Sequence, residues 1–323
     1  PDGDIYVADL YEQRIDHSSH YAGRIDRSSG RVYRLTDPRR ERTRPGPQGL
    51  GYDRLTGEQL LELLDHPSKW HRQTAIRLLG DRRDTTLIPL LRQQLAAAAG
   101  QAALERLWAL HAVAGLNEET AISLLGHTDE WVRAWTVRLL CDPKTVSEAA
   151  GSALAAAAAR EPYIVVRKQF ASSARRLPPA AALPILHALL RYDEDATDVH
   201  QPLLLWWALE AQVSRTDGRT LLAVLLPDAA DWKRPLVDQH LTERLMKRYA
   251  LAGSPADLLQ AAALLRSAPD KTSGEKLLKG FEEAFQGRSL AGIPQELADA
   301  LAASGGGSLA LRFRQGQADA VDQ

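Results

Sequence analysis

The sequence predicts a mainly α protein: an α-solenoid of stacked helical hairpins preceded by a short β segment. Three observations lead to this. From Leu55 to about residue 303, apolar residues recur at three- and four-residue spacing with no strand signal among them. Helix breakers interrupt that stretch about every 12–20 residues, among them Asp65-His66-Pro67, Gly100, Gly115, Asp142-Pro143, Pro178-Pro179 and Gly253. The segment 63–81 also returns, in modified form, at 124–142.

The first 36 residues stand apart. Ile5-Tyr6-Val7-Ala8 is a β-prone run introduced by the turn formers Asp2-Gly3-Asp4, and Gly30-Arg31-Val32-Tyr33-Arg34-Leu35 alternates as a half-buried strand does. The two are expected to share one antiparallel sheet. Two strands bury too little to stay folded alone in water, so further strands are expected upstream. The start at Pro1, with Met246 the only methionine, likewise reads as a piece of a longer protein. Residues 37–54 join charge to Pro45-Gly46-Pro47 and are expected to form a linker whose arginines are solvated.

Residues 55–303 form the helical part. Between Ala103 and Ala114 one apolar stripe is drawn through Leu104, Leu107, Trp108, His111 and Ala114. The repeated pattern pairs Leu63-Leu64, His66, Trp70, Arg72, Arg77-Leu78-Leu79 and Asp81 with Leu124-Leu125, His127, Trp131, Arg133, Arg138-Leu139-Leu140 and Asp142. The stretch between the copies holds one further helix pair, at 85–95 and 102–114, so each hairpin takes about 30 residues, the size of a solenoid unit. A weaker copy runs from Glu161 to Arg167. About six or seven helix pairs are expected, the last of them at Glu275–Phe285 less regular. Ser304-Gly305-Gly306-Gly307-Ser308 opens a flexible tail, 304–323.

Composition narrows the chemistry. The 323 residues carry 40 Lys+Arg against 41 Asp+Glu, a formal net charge of −1, which argues against nucleic-acid binding by bulk charge. Nucleic-acid binding by a helical repeat remains a second alternative that salt-dependent binding to duplex DNA would favour. One cysteine, Cys141, excludes an internal disulfide framework, a multi-cysteine zinc site and a CxxCH haem attachment. No apolar run reaches membrane-spanning length. A nucleophile elbow, a Walker loop, a dinucleotide fingerprint and HExxH are all missing. No catalytic residue and no metal ligand are assigned.

Asp129-Glu130-Trp131-Val132-Arg133, closed by Leu139-Leu140, resembles the second helix of a HEAT repeat. A second resemblance spans both parts. Asp4 to Tyr11, Arg14-Ile15-Asp16-His17 and Asp26 to Leu35 resemble the closing blade of the β-propeller in bacterial membrane-bound dehydrogenases of the sorbosone and glucose dehydrogenase type. Arg106-Leu107-Trp108-Ala109-Leu110-His111 and Pro202-Leu203-Leu204-Leu205-Trp206-Trp207-Ala208-Leu209-Glu210 are similar to the helical region that follows it. The β segment would then be the remnant of a propeller's last blade. The resemblance implies a periplasmic or secreted parent that oxidises sugars or alcohols with PQQ and passes electrons to a c-type haem. This piece would hold neither group. It would serve as a non-catalytic scaffold toward a protein partner or a neighbouring domain of the same chain.

Two sets of candidate residues follow. Asp9, Arg14 and His17 in the loop up to His20 are candidates for a cofactor or metal site at the propeller rim, against a purely structural loop. Trp70, Arg72, Trp131, Arg133 and Arg167 are candidates for partner binding, because tryptophan and arginine anchor interfaces. Recurrence at matching positions favours a structural ladder between neighbouring repeats for the arginines, and the tryptophans are expected to be mostly core. His66 and His127 read as local contacts at helix starts, and Cys141 as a buried apolar residue.

Overall fold

The computed structural model describes residues 5–8, 21, 30–35 and 51–305. The linker at 37–50, the Asp9–His20 loop and the tail beyond Gly305 lie outside the described residues. The chain divides into two compact units, residues 1–94 with 108–115 and residues 95–107 with 116–323.

In the first unit, β1 (Ile5–Ala8) pairs antiparallel with β2 (Val32–Leu35), Ile5 opposite Leu35 and Ala8 opposite Val32. Both predicted strands are present and paired. Every residue of this ribbon is exposed, Val32 at 71% and Ile5 at 63%. Helices α1 (Gly57–Glu62) and α2 (Lys69–Arg82) pack together. Thr56 and Gln59 start α1 with a reciprocal capping box, which satisfies two of the orphan donors of the first turn. Leu60, Leu64, Ala75 and Leu79 fill the core here.

Helices α3 (Ile88–Ala97) and α4 (Gly100–Ala112) follow one another across a short break. Gly100 sits at φ +59, a region open to glycine at no steric cost. The buried face of α4 is Ala103, Leu107, Leu110 and, just beyond the helix, Val113, with Leu104 at its border. This corrects the predicted stripe, because His111 and Ala114 are exposed. The small Ala103 and Ala109 turn inward, which a stripe drawn through large side chains misses. The helix stops at Ala112, and Ala114 turns left-handed at φ +60.

The second unit carries α5 (Glu118–Leu124), α6 (Glu130–Cys141), α7 (Glu148–Ala158), α8 (Ile164–Ala174), α9 (Pro179–Leu189), α10 (Gln201–Val213), α11 (Gly218–Leu225), α12 (Thr242–Ala252), α13 (Pro255–Arg266), α14 (Lys271–Ala284) and α15 (Gln295–Ala303). Helices pack on the one two places along: α6 on α8 and α8 on α10 in one layer, and α5 on α7, α7 on α9, α9 on α11 and α11 on α13 in the other. Helices α12 and α14 continue the first layer, with a π-helical turn at Val237–Leu241 between α10 and α12. This is the stacking a solenoid requires, each hairpin closing the apolar face of the last. The buried residues form one continuous core from Leu125 to Leu301, Phe170, Leu186, Leu205 and Phe281 among them.

Local sequence sets the helix starts. Asn117, Ser147, Asp217, Ser254 and Asp270 each accept an N–H of the first turn from a residue three ahead. Gly253 closes α12 at φ +67. Asp198 precedes α10 and accepts from His200 N at 2.8 Å, Gln201 N at 2.8 Å and Lys168 Nζ at 2.8 Å. Burial works against its charge, but these three donors prevail and lower the carboxyl from 3.8 to about 2. Its contribution is therefore complete above pH 4 and is lost as pH falls toward 2. Asp198→Asn should cost about 1–2 kcal/mol at pH 7, with mutant and wild-type stabilities converging near pH 2 in urea titrations.

Candidate interaction surface

The repeats share one device at the start of the helices that carry the arginines. A side chain two residues ahead of the helix entry accepts a backbone N–H: His66 Nδ1 from Ser68 N, His127 Nδ1 from Asp129 N and Glu161 Oε1 from Tyr163 N, each at 3.0 Å. Six residues after the acceptor, an arginine Nη1 returns to the loop carbonyls. Arg72 donates to His66 O (2.8 Å) and Pro67 O (3.0 Å), Arg133 to His127 O (2.7 Å) and Thr128 O (3.1 Å), and Arg167 to Glu161 O (3.1 Å) and Pro162 O (2.8 Å). Carbonyls that would otherwise be left unsatisfied in a turn gain a charged donor.

In the second unit the same arginines also reach forward. Arg133 meets Glu161 with Nε–Oε2 at 2.8 Å and Nη2–Oε1 at 2.7 Å. Arg167 meets Asp195 with Nε–Oδ2 at 2.8 Å and Nη2–Oδ1 at 2.5 Å. These side chains are between 3% and 10% exposed, and the guanidinium of Arg167 lies 4.3 Å over the Tyr192 ring. Hydrogen bonding to Glu161 raises the Arg133 pKa, and Asp195 raises that of Arg167 against the opposing effect of burial. The structure thus places Arg133 and Arg167 inside, as bidentate links from one repeat to the next. Arg72 is half-buried in the first unit. Asp9, Arg14 and His17 lie outside the described residues.

The tryptophans divide, which corrects the expectation that they are mostly core. Trp232 is buried and Trp206 packs against the core, but Trp70, Trp131 and Trp207 are 41%, 49% and 43% exposed. Trp70 lies edge-on to Tyr52 at 5.7 Å and to His71 at 5.1 Å. In the second unit Trp131 opens α6, Tyr163 opens α8, and Val199, Leu203 and Trp207 follow one another at four-residue spacing into α10. These side chains, from three consecutive packed helices, form an apolar series on the surface. Beneath Trp131, Asp129 accepts from Trp131 N, Val132 N and Gly100 N; burial opposes its charge, but these donors hold the carboxyl below its ordinary range.

The residues needed to complete this picture, Glu161, Asp195, Tyr163, Val199 and Leu203 among them, were not among the sequence candidates. The two acids follow their arginines by 28 residues, a spacing visible only once the repeat frame is set.

Residues 57–140 match the family model for HEAT repeats. The helical part carries HEAT-like repeats, a mainly α fold preceded by a small antiparallel ribbon. Repeats of this kind build extended surfaces for protein interaction. No curated protein matches the chain. No described helix is long and apolar enough to cross a membrane, and no three His, Cys, Asp or Glu side chains among the described residues converge on a metal position. The single cysteine, Cys141, is buried, and desolvation pushes its thiol up to about 11.

Proposed function

We propose that the chain is a non-catalytic interaction scaffold, with a protein partner docking on the apolar series of Trp131, Tyr163, Val199, Leu203 and Trp207. Exposure of this series over a stack whose buried arginines are already paired carries the reading. Arg133 and Arg167 are spent on Glu161 and Asp195 inside the stack, whereas large apolar side chains, which anchor interfaces, remain outside it. The resemblance of residues 4–35 and 104–210 to quinoprotein dehydrogenases extends the proposal. The scaffold would belong to a periplasmic or secreted sugar or alcohol dehydrogenase and hold its propeller against a neighbouring domain. PQQ and a c-type haem are implied for that parent, and the haem would attach outside this sequence, since its one cysteine cannot form the two thioether bonds of CxxCH.

A photo-cross-linking amino acid at Trp131 tests the scaffold in cells of the source organism. It should trap one defined protein or domain, while the same group at Glu119, exposed on α5 of the other layer, should not. Equal trapping at both positions, or none, would count against the reading. Turnover of a sugar or alcohol by this chain with added PQQ would replace it with a catalytic one.

A further inference from the structure

The opposite layer holds a groove with a different chemistry. It runs between α11 and α13, has a volume of about 490 Å³ and is floored by Leu222, Leu226 and Trp232. Arg219 and Arg266 stand at its rim, exposed, and no carboxylate lines it among the described residues. Arg266 is positioned by its Nη2–H donated to Glu296 O at 2.7 Å. Behind the floor, the same three side chains wall a small, wholly apolar cavity of about 20 Å³. Two neighbouring grooves differ: one of about 450 Å³ sets Asp270 beside Arg266 and Lys271, and one of about 380 Å³ mixes Lys271 and Lys279 with Glu275 and Glu282. Of these three grooves, the one between α11 and α13 sets a pair of arginines over an apolar floor with no carboxylate in its lining.

Resting on the scaffold reading, we propose that this groove binds an acidic peptide segment of a protein partner, an aliphatic or aromatic side chain against Ala223, Leu226 and Pro227 and flanking carboxylates on Arg219 and Arg266. Guanidinium groups pair with carboxylates in a planar, two-pronged geometry, and the volume is that of an ordinary ligand site. A nucleic-acid backbone would satisfy the arginines but leave the apolar side of the lining, Ala223, Leu226 and Pro227, without a match. The mixed lining selects for both features together.

Fluorescence anisotropy on the full chain decides it, with a fluorescein-labelled octapeptide of alternating Glu and Leu as probe. Lys/Leu and Glu/Ser octapeptides and a DNA duplex serve as comparisons. The Glu/Leu peptide should bind best, more weakly as salt rises. Arg219→Glu should weaken it at least about tenfold, since attraction becomes repulsion. Ala223→Trp, which fills the groove from an exposed position, should weaken it similarly with an unchanged circular dichroism spectrum. No binding, equal binding of Lys/Leu or Glu/Ser, preference for DNA, or indifference to both variants would each overturn the assignment. The Trp131 cross-link is read separately: a partner trapped there while the groove binds nothing refutes the groove and leaves the scaffold standing.

Discussion

Arg167→Met is expected to lose about 3–5 kcal/mol of stability, several times the worth of a single exposed ion pair. The arginine and Asp195 are 5% and 3% exposed and share two hydrogen bonds, so removing the cation strands a buried carboxylate. The loop carbonyls of Glu161 and Pro162 lose their donor in the same step. The cost thus reflects the groups left behind rather than the net worth of the pair. The double variant Arg167→Met/Asp195→Leu should recover most of the loss, because neither charge then remains in the interior. Arg77→Met, which breaks an exposed pair with Asp81 at 66% and 63% exposure, should change stability by less than about 0.5 kcal/mol. Urea denaturation of the four proteins checks all three statements. Single and double variants of Arg167 equally unstable would show that the pair itself, and not the stranded charge, holds these repeats together.

That pair also marks how far the sequence could be read. Repeat length, helix pairing, the two strands and the histidine contacts at helix starts were legible because each depends on neighbours within one or two turns: Pro-Gly punctuation, helical periodicity, an acceptor two residues from its donor. The arginine register was legible as well, through the copy at 61 residues. What each arginine grips was not, since Glu161 and Asp195 sit in the following repeat and the match to Arg133 and Arg167 needs the stack. Tryptophan exposure escaped for a related reason. Trp131 and Trp232 differ in no local signal, and only packing decides that one opens a helix at the surface while the other floors a groove. The groove itself joins Arg219 to Arg266 across 47 positions, with nothing in the chain between them to announce it.

Close helix approach is the remaining long-range feature, and Gly280→Ala tests it with an expected loss of about 2–3 kcal/mol. In the middle of an exposed helix this change would stabilise by about 1 kcal/mol through backbone entropy and helix propensity. Here a Cβ on α14 would stand 2.3 Å from the Glu243 carbonyl oxygen and 3.1 Å from its carbon, both backbone atoms of α12. A flexible side chain would swing away, but a helix backbone gives way only by moving the whole element. Such a shift would loosen Phe281, Leu277 and Met246, none more than 1% exposed. Gly274→Ala, on the same helix with nothing within 4 Å of its new methyl group, supplies the contrast and should stabilise by about 0.5–1 kcal/mol. The opposite signs separate steric contact from propensity in one helix. Because each repeat touches only its neighbours, the Gly280 loss should concentrate in α12 and α14 when hydrogen exchange is followed segment by segment, while α6 and α8 keep their protection. Stabilisation by both alanines would mean that α12 and α14 are held apart rather than pressed together.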